Sequence, residues 1–188
     1  MSETITKAMK RPGMVPAFLT GLGVFATLLV LGFVRAVLST LALITTVSGG
    51  LDFVGPAWLA QLQSSLTGPL PFAVGVFLCF WQIAPIAPGL RLAHVVTRSI
   101  LAGAVGAAVT WLVFVIVRLV VDVATTQFNV PAVTVLGQLG QDALQSLFSA
   151  LAAAVGYLPV VVLAGILLWG WLQRHPLGTR VHGALDEV

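Results

Sequence analysis

Four stretches of this chain stay apolar for about the thickness of a lipid bilayer, and that feature limits the possible folds more than any other. A spanning helix needs about 20 mostly apolar residues, each adding 1.5 Å of rise. The first stretch runs from Val15 into the forties, the second covers about 70–87, the third about 99–121 and the fourth about 147–172. Composition agrees, since 59% of the 188 residues are hydrophobic and only 8% are charged. A soluble domain carries about 25% charged residues, so too few ionic groups exist here to cover a water-facing surface. The same balance excludes a disordered tail, a disulfide scaffold and a coiled coil. The expected fold is an all-α integral membrane protein with four transmembrane helices, in a single membrane domain over 1–188.

Lys7, Lys10 and Arg11 precede the first apolar run, as they would in a signal peptide. That run exceeds the 7–15 residues of a signal core and has no small-x-small exit, so it reads as a retained first span. The remaining cations give the orientation, because Lys and Arg in short flanking loops resist translocation. Arg91 and Arg98 lie between spans two and three, and Arg174 and Arg180 follow span four. The connections 48–69 and 124–146 hold no Lys or Arg but do hold Asp52 and Asp142. Both termini are therefore expected in the cytoplasm, with the protein multi-pass in the plasma (inner) membrane. The net charge of +3 then reflects topology and contact with anionic lipid on the cytoplasmic side, not nucleic-acid binding. Trp81, Trp169 and Trp171 fall at the inner ends of spans, where an amphipathic ring prefers the headgroups, and Trp58 is expected to do the same outside. Trp111 lies deep in span three and reads as a lipid-facing or packing aromatic. Seven Arg against two Lys, amid abundant Ala, Val, Leu and Gly, suggests a GC-rich bacterial source.

The two halves match in order. Phe33-Val34-Arg35 answers Ile116-Val117-Arg118. Thr45-Thr46, Phe53 and Pro56-Ala57 answer Thr125-Thr126, Phe128 and Pro131-Ala132. Trp81, Pro88, Gly89, Arg91 and His94 answer Trp171, Pro176, Gly178, Arg180 and His182. Each half holds two spans, so the expectation is a tandem parallel repeat of two helical hairpins, about 14–95 and about 96–183, related by an axis along the membrane normal. Between spans, Trp58, Leu62 and Leu66 oppose Gln61, Ser64 and Ser65, and Leu136, Leu139, Ala143 and Leu147 oppose Gln138, Gln141, Asp142 and Gln145. Both patterns describe short amphipathic helices on the outer side, lying in the interface or over the bundle mouth. Thr67-Gly68-Pro69 breaks the first from span two, whereas nothing breaks the second from span four, so a turn is expected in one half and a bent or continuous helix in the other.

Arg35 and Arg118 are the sharpest candidates for function. An arginine in hydrocarbon is costly, but counting about 20 residues from the inner ends places both near the outer boundary. They can snorkel there, and Asp122 stands one turn beyond Arg118 at ion-pair spacing, whereas Arg35 has Ser39. The other reading is a pseudo-symmetric pair of cations that binds a lipid headgroup or an anionic substrate. His94, His175 and His182 lie among arginines on the inner side and lack the partners a metal site needs. The single cysteine, Cys79, has no disulfide partner. No hydrolase, protease or phosphate-loop pattern occurs, and no cofactor is implied. Gly103 with Ala107, Ala150 with Ala154, and Ala152 with Gly156 form small-xxx-small pairs suited to close helix packing. Pro159 should bend span four near Gly156. The leading expectation is a non-enzymatic subunit or accessory protein whose helices pack with another membrane protein or with copies of itself. The alternative is a small oligomeric channel or transporter with an outward-facing anion or lipid-headgroup site at Arg35 and Arg118. An enzyme acting on lipid comes third.

Overall fold

A computed structural model describes residues 13–46, 54–125 and 132–175. Helix α1 is Met14–Thr46, α2 is Val54–Thr67, α3 is Pro69–Leu78, α4 is Leu92–Thr125 and α5 is Ala132–Arg174. A π-helical turn, Cys79–Ile83, extends α3. The described residues are otherwise turn or coil, and four helical segments are long and apolar enough to cross a membrane: Met14–Ala42, Leu62–Ile83, Leu92–Val121 and Gly140–Arg174. The chain is thus an all-helical, multi-pass membrane protein.

The second span is shorter at its C-terminal end than the sequence suggested. It stops at Ile83 instead of near residue 87, because Pro85 and Pro88 have no N–H to donate and push the residues before them out of helical geometry. At its other end it gains the last turns of α2, since Gly68 makes only a single-residue break before Pro69. In the second half no such break occurs. Helix α5 runs unbroken from Ala132 through Pro159 to Arg174, giving the turn in one half and the continuous helix in the other. The apolar side of α2 faces away from the bundle, with Leu62 and Leu66 exposed while Ser65 is buried. That sense suits hydrocarbon, where an outward leucine is already solvated and a small hydroxyl side chain packs inward.

The helices form a closed ring. Helix α1 packs on α3, α3 on α4, α4 on α5, and α5 returns to α1. The core draws on every spanning helix, with Val24, Phe72, Val76, Val95, Val161 and Leu172 among its most buried side chains. Ala17, Gly21, Val24 and Leu28 form the buried stripe of α1, and the buried positions of α4 end at Ala107. Both helices then continue with exposed apolar residues, so the packed core lies toward the end that carries Gly13, the 84–91 connection and His175.

Glycine sets the distance between helices at three contacts. A Cβ on Gly75 would lie 2.7 Å from the Gly106 Cα, so α3 and α4 touch through their backbones. One on Gly21 would meet the Phe77 Cβ at 2.8 Å, and one on Gly165 would fall 2.1 Å from the Ser99 hydroxyl oxygen. In lipid, where burial from water does not drive helices together, such close approach is what makes packing favourable. Gly103, Ala107, Ala150 and Ala154 are buried, as their small-residue spacing suggested. Ala152 and Gly156 are exposed, with open space beside Gly156, because that face of α5 turns away from α4 and α1.

Candidate functional site

Arg35 is exposed in the C-terminal half of α1, and Arg118 is exposed in the C-terminal half of α4. Both extend past the packed core, and α1 and α4 are not neighbours in the helix ring. The structure therefore keeps the two arginines on separate faces. Arg118 sits over the Phe114 ring, 5.4 Å from its centroid, a cation–π contact one turn back along the helix. The side chain of Asp122 lies outside the described residues. On α1, the Ser39 hydroxyl donates to the Ala36 carbonyl at 2.9 Å, so it is engaged with its own helix. Phe114 precedes Arg118 by four residues, the same spacing in the sequence at which Asp122 follows it.

The polar side chains that do reach across helices gather around the 84–91 connection. The Arg98 guanidinium donates to the Pro85 carbonyl. The Trp169 indole N–H donates to the Leu90 carbonyl at 3.1 Å. Trp169, expected at headgroup level, and Arg98, expected as an orienting cation between spans, are in this way structural ties, and the reason is the connection itself. Its prolines and turns leave carbonyls without helical partners, and buried backbone acceptors must be satisfied. Trp81 is also turned inward, stacked on Phe77 at 5.4 Å with its ring nitrogen enclosed. Of Trp81, Trp169 and Trp171 only Trp171 is exposed, stacked on His175 at 5.1 Å. Deeper in α4, the Trp111 N–H donates to the Ala143 carbonyl at 3.0 Å, which makes it a packing aromatic with a polar tie to α5. None of these long-range partners carries a sequence signal, since each depends on which helices become neighbours.

Among the described residues no three His, Cys, Asp or Glu side chains come close enough together to hold a metal ion. His94 and His175 are exposed, His182 lies outside the described residues, and Cys79 is a buried free thiol. The arrangement offers no paired acid and base among the described side chains, only apolar grooves and an outward face of α5 that differs from the rest. There Gln141, Gln145, Ser149, Ala152 and Gly156 are all exposed, three or four residues apart. The Ser149 hydroxyl bonds back to the Gln145 carbonyl at 3.0 Å. No protein-family model, no curated protein and no solved structure matches the chain.

Proposed function

We propose that this chain is a non-enzymatic subunit or accessory protein of a bacterial plasma membrane, packing through α5 with a partner helix or a second copy. The observation that carries the reading is the exposed row Gln141, Gln145, Ser149, Ala152 and Gly156 on a helix that is otherwise lipid-compatible. Small residues let a second backbone approach closely, and hydrocarbon leaves a glutamine amide unsatisfied where a neighbouring helix can bond it. In this reading the cations place both termini in the cytoplasm. The two halves are tandem parallel hairpins, and Arg35 and Arg118 reach lipid phosphate on the opposite side as headgroup-level cations.

The test is purification of the full chain in mild detergent, with native mass and cross-linking through a cysteine at position 152 in a Cys79→Ser background. A specific dimer or a stoichiometric partner is expected, and Gly156→Leu should abolish it. A lone monomer that forms no cross-link in its own membrane refutes the reading.

A further inference from the structure

A groove of about 480 Å³ runs between the first and last helices, open along one side, with Pro16, Gly23 and Thr27 on one wall and Val160, Leu167 and Trp171 on the other. The walls are antiparallel, so Pro16 stands at the end of the groove that Trp171 occupies. From Pro16 to Thr27 the groove follows α1 for about 16 Å at 1.5 Å per residue. Spread over that length, with the radius of a water molecule added at each wall, 480 Å³ leaves an open groove roughly 8 Å wide. A helix with its side chains is about 10–12 Å across and does not fit. A single polymethylene chain, whose carbons sit about 4–4.5 Å from the atoms they touch, does.

The lining chemistry points the same way. The two threonines in the wall have spent their hydroxyls, Thr20 on the Pro16 carbonyl and Thr27 on the Gly23 carbonyl, each at 2.8 Å. What remains is hydrocarbon surface within segments that can cross a membrane. At the Pro16 and Trp171 end the chemistry changes. Arg174 is exposed one turn beyond Trp171, and the sequence just ahead of α1 carries Lys7, Lys10 and Arg11. An apolar groove that ends beside an exposed arginine matches an anionic phospholipid, tail in the groove and phosphate near Arg174.

We propose that the α1–α5 groove is a binding site for one acyl chain of an anionic phospholipid whose headgroup is held near Arg174. The site lies apart from the outward row on α5 and stands whether or not that row pairs with another helix. Gly23 provides the test, since a side chain added there meets nothing within 4 Å and grows into the slot without disturbing a helix contact. The full chain is reconstituted in vesicles of equal parts phosphatidylglycerol and phosphatidylcholine, then extracted into mild detergent for native mass spectrometry. Wild type should keep phosphatidylglycerol in preference to phosphatidylcholine. Gly23→Leu and, from the other wall, Leu167→Trp should each lower that retention by about tenfold, while Gly137→Leu, at another open glycine, leaves it unchanged. Arg174→Gln should remove the headgroup preference. Retention that survives both groove variants, equal retention of the two lipids by wild type, or loss in Gly137→Leu as well, overturns the proposal. So does a change of oligomeric state, with no change in lipid, on filling the groove.

Discussion

Replacing Gly75 by alanine adds one methyl group where α3 and α4 meet backbone to backbone. The new Cβ would lie 2.7 Å from the Gly106 Cα and 3.0 Å from both the Gly106 nitrogen and the Val105 carbonyl oxygen. None of these atoms belongs to a side chain that can rotate aside. Carbon atoms rest at about 3.5–4.0 Å, so the helices must separate by about 1 Å, a gap that forfeits up to about half the dispersion energy of each atom pair it opens. Those pairs include contacts of Phe72 and Val76, which are 1% and 0% exposed. Overpacking of this kind destabilises by about 1–3 kcal/mol. Alanine's helix preference over glycine returns about 0.8–1 kcal/mol, so the expected net loss is about 0–2 kcal/mol. Gly23→Ala makes the same chemical change on an open face, with nothing within 4 Å, and should be neutral or stabilising by up to about 1 kcal/mol. The double variant Gly75→Ala with Gly106→Ala should lose less than the sum of the singles, because the first methyl already parts the helices. Reversible unfolding in mixed micelles, driven by rising dodecyl sulfate and followed by tryptophan emission and far-ultraviolet circular dichroism, reads the wild type and all four variants. Equal stability of Gly75→Ala and Gly23→Ala would refute the reasoning.

Three further outcomes are expected. Trp111→Phe keeps the ring but removes the donor to Ala143, and should lower stability by about 0.5–1.5 kcal/mol in the same titration. Arg98→Met should leave the helices intact yet speed amide hydrogen exchange in 84–91, where the lost guanidinium had tied the Pro85 carbonyl; unchanged exchange there would contradict that role. Phe114→Leu removes the ring beneath Arg118 and should change stability by less than about 1 kcal/mol, as measured by the same unfolding curve, because Arg118 is exposed and Phe114 only half-buried.

The spans were readable because a bilayer imposes length and apolarity on each segment independently, with no need to know its neighbours. The second span ends short of residue 87 for a local reason, since Pro85 adds to the apolarity of the segment and yet breaks its helix. Which of the 19 glycines would meet a neighbouring helix was not readable. Gly75 and Gly106 touch only because α3 and α4 cross there, and that crossing is a property of the assembled ring. Ala152 and Gly156 carry the same spacing signal as Gly103 and Ala107 but face outward, for spacing defines a helix face and not its direction. Arg98 and Trp169 read as boundary residues because a cation and an indole near a span end usually are. Their acceptors exist only once the chain has turned at 84–91.

That connection also bears on how the chain is assembled. Ala84 and Ile86 are 0% and 5% exposed, so a stretch of non-helical backbone is shut inside the protein, and its donors, Arg98 and Trp169, both come from the second half of the sequence. Backbone carbonyls shut away from water must find donors within the protein. During synthesis the first hairpin emerges with the carbonyls of Pro85 and Leu90 still open, and they close only when α4 and then α5 arrive. The first half can enter a membrane before the second exists, but it cannot finish folding there alone. A break in synthesis after residue 91 should leave an unfinished product, fit for removal by quality control.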